Sequence, residues 1–393
     1  MIPRRDIRLY NGLTKSIFRW IFESKKNFRV DFKEGLADYF SNEKLFLLGG
    51  GRQSFHLIFD NVDFERGDEV IVPNYYLPVL IPIIKSKGLV PVFCDIDPQT
   101  LSIDKNQVLE KINSNTRFVI LTHMFGVMQN AESFVSEVKK RKKDIFIIED
   151  SAHAFGSKER AKAGLFGDFS LFSFNYIKTL STLEGGMLLV NNQQYFSRMK
   201  ADYEQNYQLP GRISVLKKVF YYYFLLTTLK TPLIRLLNRL LENKRVKEKI
   251  KRVHNSYFKN WKRQKLSTFL SFLGCLELES FEEKQKAIDE KVEIYEENLN
   301  PDLWKKRPRG EESVWSKYFL ALTLEGDSKK IKDELYSLGI DSAIRDEVMG
   351  VCEKDDRFKN SLSVYNGIIQ LPLHHRLKDK DVVKISKAIN SLK

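Results

Sequence analysis

A lysine in the middle of the sequence stands in a setting that suits covalent chemistry. Lys178 lies in FGDFSLFSFNYIKTLSTLEGG (166–186), where the flanking residues are apolar or small and an EGG turn follows. Lysines are normally exposed, so Lys178 could simply be a surface residue of a loop. A lysine held among apolar groups would instead have a lowered pKa, and its amine could form an imine with an aldehyde cofactor.

An aspartate ends a short apolar run upstream of this lysine. Asp150 closes IFIIED (145–150), and His153 follows three residues later. The pair could be a strand terminus with a hydrogen-bonded histidine. It could equally place a carboxylate against a heterocyclic nitrogen and keep that nitrogen protonated, so that the ring can absorb electrons. The residues of this run alone favour neither interpretation.

Three consecutive glycines form a candidate anion-binding loop. Gly49, Gly50 and Gly51 in LLGGGRQSFHLIF (47–59) lead into a helical pattern, which directs backbone N–H groups and the positive end of a helix toward an anion. Their spacing matches neither the Rossmann nor the Walker motif. The glycines therefore predict either a phosphate-binding loop or a plain glycine-rich turn.

The elements around these residues alternate between short β-branched or aromatic runs and helical stretches. Such alternation predicts repeated βαβ units and a mainly parallel sheet, in which ligands bind beyond the carboxyl ends of the strands. Asp150 would therefore point toward a site. The predicted strands are 69–73, 90–96, 117–124, 145–150, 169–174 and 187–190, and the helical stretches between them include 77–87, 106–112 and 130–141.

The chain of 393 residues, 42% of them apolar, is long enough for more than one domain. We predict an N-terminal arm (1–30), a large domain (31–290) and a smaller α+β domain (291–393). The small domain should contain a strand in SKYFLALTL, a helix in SKKIKDELYSLG and a final strand and helix from GIIQLPL onward.

A basic insert interrupts the large domain. From Arg212 to Lys265 there are 16 Lys and Arg but only two acids, so this segment holds the whole net charge of +14. Leucines between Leu229 and Leu241 fall at helical spacing. The segment could bind an anionic membrane surface or a polyanionic substrate, or its leucines could pack on the catalytic domain with the charges solvated. We favour the packing interpretation, and expect no nucleic-acid binding because no recognition motif accompanies the charge.

The motifs taken together resemble the DegT-type (StrS-like) family of pyridoxal-phosphate-dependent sugar aminotransferases. The resemblance runs from about residue 30 to the end, excluding the insert. It rests on the order and separation of GGGRQSF, GDEVIVP, PVFCDIDPQTLSID, IEDSAHAFG, GDFSLFSFNYIK, EGG and LPLHHRLKDKDV.

This resemblance implies an aspartate-aminotransferase-like α/β fold (fold type I) and a homodimer with pyridoxal 5'-phosphate bound between subunits. Lys178 matches the Schiff-base lysine and Asp150 the partner of the pyridine nitrogen. The other matched positions are His153 beside the ring, Gly51, Arg52 and Ser173 at the phosphate, and Asn206, which reaches the phosphate of the neighbouring subunit's cofactor.

Two positions depart from the family pattern. Arg52 replaces the usual threonine, although an arginine can also hold a phosphate. Leu77 stands where the family places an aromatic residue that stacks on the cofactor ring, so Tyr75 or Tyr76 would have to substitute, or the stack is missing.

The expected activity is transfer of an amino group from glutamate to a nucleotide-linked keto-deoxysugar, as in the biosynthesis of cell-surface polysaccharides or amino sugars. A pyridoxal-phosphate sugar dehydratase is an alternative, although Lys178 favours transamination because some dehydratases of this kind lack the lysine. A non-catalytic, cofactor-binding regulatory or membrane-docking protein is the second alternative.

The cysteines and the N-terminal segment bear on the compartment. Cys94, Cys275 and Cys352 lie far apart and suggest neither disulfides nor a metal site, and no metal is expected. The first residues carry charges throughout and do not resemble a secretory signal. We therefore expect a cytoplasmic protein, with contact to the inner face of the membrane as the variant in which the insert binds lipid.

Overall fold

The computed structural model of the chain describes residues 1–4, 27–228, 263–305, 307–310, 314–315, 319–325, 327–347 and 349–392. Most of the predicted N-terminal arm and the leucine repeat of the insert lie outside these residues. Eight strands lie in the first half of the described chain, and further short strands follow near the C-terminus.

Helices and strands alternate through the first half of the chain, as the pattern of apolar runs predicts. The strands are Leu45–Leu48 (β1), Glu69–Pro73 (β2), Tyr75–Tyr76 (β3), Val90–Cys94 (β4), Thr116–Thr122 (β5), Phe146–Asp150 (β6), Phe169–Ser173 (β7) and Gly186–Val190 (β8). The helices are Phe28–Phe40 (α1), Gln53–Phe59 (α2), Ile81–Ser86 (α3), Lys105–Lys111 (α4), Ala131–Arg141 (α5), Phe196–Asn206 (α6) and Arg212–Thr228 (α7).

The second half begins with long helices and ends with short strands. Its helices are Thr268–Glu279 (α8), Phe281–Asn298 (α9), Pro301–Trp304 (α10), Ser328–Ser337 (α11), Lys359–Gly367 (α12) and Asp379–Asn390 (α13). Its strands are Leu320–Thr323 (β9), Ala343–Ile344 (β10), Gly350–Val351 (β11) and Ile368–Leu371 (β12).

The central sheet has seven strands in the order β1-β8-β7-β6-β5-β2-β4. Strands β7, β6, β5, β2 and β4 run parallel to one another, while β8 and β1 complete the sheet in antiparallel pairings. The prediction of a mainly parallel sheet is confirmed. Because parallel strands end at one edge, Asp150 and Ser173 lie at the same edge of the sheet.

Both faces of this sheet are covered, which explains its continuous apolar strands. All five residues of β6 are buried, including Glu149 and Asp150. Successive side chains of a strand point to opposite faces. Ile147 accordingly packs with α4 and α5 on one face, whereas Ile148 packs on the other face with β3 and the helices there.

A second, smaller core surrounds a three-stranded antiparallel sheet in the order β10-β12-β9. Residues of α9, α11 and α13 fill it, among them Tyr295, Leu335 and Ile385, and Ile2 packs there as well. The proposed domain boundary after residue 290 falls inside α9, and the division of the chain at 30 and 290 stays a proposal.

Hydrogen bonds join this C-terminal unit to the central sheet. Strand β3 pairs with β11, so that Tyr76 lies opposite Gly350. The buried side chain of Asn74 donates to the carbonyl of Glu353 over 2.9 Å and accepts from the N–H of Glu353 over 2.8 Å. The strand segment that enters the candidate site is therefore anchored by the C-terminal unit.

Further along the same interface, one carboxylate of the central sheet binds the start of α12. Asp95, which follows β4, is 3% exposed. It accepts hydrogen bonds from the backbone N–H of Asn360 over 2.9 Å and from the N–H and hydroxyl of Ser361 over 2.8 and 2.6 Å. Within the described residues, every helix is too short or too polar to cross a lipid bilayer.

Candidate active site

The carboxylate of Asp150 is the centre of the candidate site. Asp150 is 6% exposed at the end of β6, on the sheet face that carries β3. Its Oδ2 accepts a hydrogen bond from the phenol of Tyr76, and its Oδ1 accepts one from the N–H of Ala152 over 2.9 Å. Two donors from different elements therefore fix the orientation of this carboxylate.

The charge state of Asp150 reflects opposing effects. Burial raises the pKa of Asp150 above its ordinary value, while hydrogen bonds from Tyr76 and Ala152 and the charge of Lys178 act against that rise. Lys178 thus lies near enough to stabilise the ionised carboxylate. The charge of Lys178 therefore acts on the carboxylate of the residue predicted to bind the same coenzyme.

Lys178 sits on a loop that connects β7 to β8. Backbone hydrogen bonds close this loop from Phe174 to Gly185 over 2.9 Å and from Tyr176 to Leu183 over 2.8 Å. Lys178 is half-buried near the tip, where its N–H donates to the carbonyl of Asn175 over 2.8 Å. The sequence interpretation of a lysine held in a partly apolar loop agrees with this placement.

The glycine turn packs directly against the end of β7. A side chain at Gly51 would bring its Cβ within 3.0 Å of the Phe172 carbonyl oxygen and 3.3 Å of Ser173 Cβ. At Gly186 a Cβ would overlap the backbone of Gly51. Only glycine permits this close approach, which brings Gly51 and Ser173, two of the predicted phosphate residues, side by side. Arg52 directly precedes α2.

His153 lies beside the strand ends but faces a neighbouring loop. Its Nδ1 accepts a hydrogen bond from the N–H of Phe125 over 3.3 Å, and the centres of the two rings are 5.8 Å apart. Phe125 itself has a positive φ of 54°, a conformation that costs energy for a large side chain. Trp315 fixes the same turn by donating from Nε1 to the Phe125 carbonyl over 2.5 Å.

Asn206 is not brought to this group of residues within the chain. It ends α6 with an exposed side chain whose Nδ2 donates to Asp202 Oδ1 over 2.7 Å. Its predicted contact with the cofactor of a neighbouring subunit involves a second chain and stays a prediction.

The missing aromatic residue at Leu77 leaves two candidates for a ring stack. Tyr75 and Tyr76 are both buried, and Leu77 packs against the same core. Tyr76 reaches Asp150 through its hydroxyl, a role that sequence reasoning did not assign. It considered both tyrosines only as aromatic surfaces.

A second feature that sequence reasoning missed is a buried hydrogen-bond network around Glu149, the residue before Asp150. Glu149 and His123 are both fully buried, with 2.8 Å between Oε1 and Nε2. Glu149 also accepts from the N–H groups of Gly164, Phe166 and Gly167 over 2.5, 2.9 and 2.8 Å, and from the Ser170 hydroxyl over 3.1 Å. The sequence signal for this network was Glu149 itself, a charged residue inside the mostly apolar run IFIIED.

The Glu149 network holds the strand that presents Asp150. Burial by itself raises the pKa of Glu149, but the hydrogen bonds from His123, Gly164 and Gly167 outweigh burial and hold that pKa below its ordinary value. His123 also donates its backbone N–H to the Asp150 carbonyl over 3.2 Å. The network therefore supports Asp150 from the opposite face of the sheet.

These residues fit a ligand with an anionic end, an aldehyde and a basic ring nitrogen. The closely packed turn at Gly51 and Ser173 suits the anion, Lys178 suits the aldehyde and Asp150 suits the nitrogen. Pyridoxal phosphate has all three groups. Among the described residues, no cluster of three or more His, Cys, Asp or Glu side chains is arranged to hold a metal ion.

The hydrogen bond from Tyr76 should set the pH range in which Asp150 is ionised. In Tyr76→Phe the pKa of Asp150 rises further, because the bond that favours its ionised form is gone. We expect the acid limb of pyridoxal phosphate binding to move up by about one to two pH units, since hydrogen bonds to charged groups contribute about 1.5–3 kcal/mol. Absorbance titration of the bound cofactor across pH measures this.

Tyr75→Phe is the matched control for this prediction. Among the residues that the structure describes, the buried Tyr75 hydroxyl has no hydrogen-bond partner. Its removal should leave the pH profile of binding in place. Equal profiles for Tyr76→Phe and the parent protein would refute the proposed role of Tyr76.

Comparison with known proteins identifies the family. The profile of the DegT/DnrJ/EryC1/StrS aminotransferase family matches residues 18–390. The chain is 34% identical to GDP-perosamine synthase of Escherichia coli O157:H7 over 180 residues, which is 46% of this chain and 49% of that protein. The match thus spans about half the length of this curated relative.

Solved structures share the fold over the whole chain. The sugar aminotransferase CalS13 from Micromonospora echinospora aligns with a TM-score of 0.74 at 16% identity and 100% coverage of both chains. E. coli GDP-4-keto-6-deoxy-D-mannose-3-dehydratase with bound hydrated PLP aligns with a TM-score of 0.73 at 17% identity and 99% coverage of both. Given the family match across residues 18–390, the chain belongs to the DegT/DnrJ/EryC1/StrS aminotransferase family and has the fold of its sugar aminotransferases.

Proposed function

We propose that this protein is a pyridoxal-phosphate-dependent aminotransferase that converts a nucleotide-linked keto-deoxysugar into an amino sugar, with glutamate as the amino donor. The observation that carries the proposal is the buried carboxylate of Asp150 at the sheet edge where the Gly51 turn packs against Ser173, with the charge of Lys178 near enough to lower the pKa of that carboxylate. Membership of an aminotransferase family and the name of the 34% identical relative, GDP-perosamine synthase, support the reaction class and the sugar-nucleotide substrate.

Each residue of the candidate site has a distinct proposed role. Pyridoxal phosphate, when bound, supplies an aldehyde that accepts the amino group and a ring that withdraws electrons from the reacting carbon. Asp150 would hold the positive charge at the ring nitrogen. Gly51, Arg52 and Ser173 would bind the phosphate, with His153 near the ring. The Lys178 amine would take the proton from the donor's Cα.

The main competing activity is dehydration of the same kind of sugar. One dehydratase shares the fold, at 17% identity. The presence of Lys178 favours transamination, because its amine is the base that moves the proton between donor and cofactor. The two reactions also differ in what they consume, since only transamination uses one donor molecule for each product.

Product analysis tests the proposal. The protein, loaded with pyridoxal phosphate, is incubated with glutamate and either a GDP-linked or a dTDP-linked 4-keto-6-deoxysugar. We expect formation of 2-oxoglutarate in amounts equal to the amino sugar. A sugar that loses a hydroxyl group without consumption of glutamate would establish the dehydratase instead, and a protein that changes neither sugar would leave the non-catalytic alternative.

A homodimer belongs to the same proposal. The exposed Asn206 at the end of α6 would then reach the cofactor phosphate of the partner subunit. Light scattering of the purified protein measures the mass, and Asn206→Ala should weaken phosphate binding without changing that mass. A monomer with full activity would contradict this arrangement.

Contact with the inner face of the membrane is a second candidate property, carried by α7. Its outward residues Ile213 and Phe220 are each 72% exposed and Tyr221 is 59% exposed. They begin the segment that holds the net charge of +14. Apolar and basic residues on one exposed face suit an anionic lipid surface.

The double variant Ile213→Ser with Phe220→Ser should abolish co-sedimentation of the protein with anionic vesicles. Binding that does not depend on the charge of the lipid or on the salt concentration would disprove electrostatic attraction to the membrane.

A further inference from the structure

Helix α7 contacts the loop that carries Lys178. This loop runs from Phe174 to Gly185 and ends in the EGG turn of Glu184. The Glu184 side chain points to α7, where its Oε2 accepts from Lys218 Nζ over 2.6 Å and its Oε1 accepts from the Tyr222 hydroxyl over 3.1 Å. One carboxylate at the base of the loop therefore binds two side chains of the helix.

An aromatic contact strengthens this attachment. The ring centres of Tyr176 and Tyr222 are 5.6 Å apart at a tilt of 47°. Tyr176 is two residues before Lys178 and holds the loop closed through its N–H bond to the Leu183 carbonyl. Tyr222 thus contacts the loop at both of its arms, through Glu184 on one and Tyr176 on the other.

The inner face of α7 is fixed to the large domain. Val215, Val219 and Tyr222 are 6%, 3% and 8% exposed and join the core that contains Leu180 and Leu183 of the loop. Residues four apart lie on the same helix face, which explains why Lys218 and Tyr222 meet one carboxylate. Leu183 has a positive φ of 74°, so the loop holds a conformation that costs energy and needs external support.

We propose that Lys218 and Tyr222 are positioning residues for Lys178: by binding Glu184 and Tyr176, they hold the loop in the shape that presents the Lys178 amine to the cofactor. This inference rests on the proposed function for the role of Lys178. It gives the beginning of the basic insert a part in catalysis, because α7 lies within that segment. Lys218 and Tyr222 themselves touch neither cofactor nor substrate in this scheme.

Hydrogen–deuterium exchange of the cofactor-free protein tests the attachment without relying on any activity. In Tyr222→Phe and Lys218→Met, peptides covering 174–186 should exchange at least about tenfold faster, because the amides of Phe174, Tyr176 and Thr182 lose the support of their loop. Lys218→Arg, which keeps the ion pair, should restore slow exchange.

The neighbouring residues provide matched controls. Lys217 and Tyr221 are exposed on the same helix, and Lys217→Met and Tyr221→Phe make the same chemical changes away from Glu184. We expect parental exchange in both. If Tyr222→Phe exchanges no faster than Tyr221→Phe, the proposal is overturned.

Steady-state kinetics and cofactor absorbance test whether the loop positions Lys178. Tyr222→Phe should lower kcat by about ten- to hundredfold with little change in KM, since misplacement of a reacting group costs rate more than binding. It should also shift the pH at which the absorbance of the lysine-bound cofactor changes. Faster exchange with unaltered kcat and absorbance would refute the positioning role. If the parent protein fails to capture pyridoxal phosphate, the proposed function falls, while the exchange data still decide whether the helix holds the loop.

Discussion

Lys178→Ala is expected to lower kcat by at least about 10³-fold, because the proposed function gives Lys178 both the covalent attachment of the cofactor and the proton transfer. General acid–base catalysis alone contributes about 10²–10⁴-fold. Borohydride reduction followed by mass spectrometry gives a direct readout. In the parent protein the cofactor becomes fixed to the peptide that contains residue 178, whereas the variant should retain no cofactor after denaturation.

Lys380→Ala is the control for this loss. Lys380 is an exposed residue of α13, so its replacement should leave both the rate and the trapping unchanged. A Lys178→Ala variant with activity within tenfold of the parent would remove Lys178 from the mechanism. Circular dichroism should show the same helix content in all three proteins, since Lys178 is half-buried in a loop and not part of a packed core.

Glu149→Gln should produce the largest change in stability. The carboxylate of Glu149 is fully buried and accepts hydrogen bonds from three backbone N–H groups, Ser170 and His123. The amide of glutamine turns one of these acceptors into a donor that faces other donors. Breaking a buried ionic network on one side costs about 3–5 kcal/mol of unfolding free energy, which urea denaturation can measure.

The pH dependence of this difference identifies its cause. The pKa of Glu149 is held below its ordinary value in the folded protein, so its contribution to stability is present above the pKa of the unfolded state. That contribution is lost as the pH falls through the lowered folded-state pKa. The gap between parent and variant should therefore shrink in acid. Glu132→Gln, which alters an exposed pair with Arg160, should change stability little at any pH.

Buried parallel strands were the part of the fold most open to prediction. EVIVP was predicted at 69–73 and forms β2 over Glu69–Pro73, because a strand covered on both faces is mostly apolar along its length. The run at 145–150 likewise forms β6, one residue shorter. Strand β1 was not predicted, since LFLL has four residues and owes its place to antiparallel pairing with β8, which local sequence does not reveal.

Residue roles that follow from the order of motifs in the sequence could be predicted. Contacts between residues that lie far apart in the chain could not. Lys178 and Asp150 were assigned from their motifs. The contact of Tyr76 with Asp150 joins residues 74 apart, and that of His123 with Glu149 joins residues 26 apart. No periodicity encodes such pairs. They arise because β5, which His123 follows, pairs with β6, and because β3 packs on the face of the sheet that carries Asp150.

The pairing of β3 with β11 limits how the protein can be divided. Tyr76 is held opposite Gly350, and Asn74 is bonded to Glu353, so the C-terminal unit orients the phenol that serves Asp150. A fragment ending after the central sheet would keep the carboxylate but lose the strand that aligns its donor. The candidate cofactor site therefore depends on both units, and grafting it onto another scaffold would require the two together.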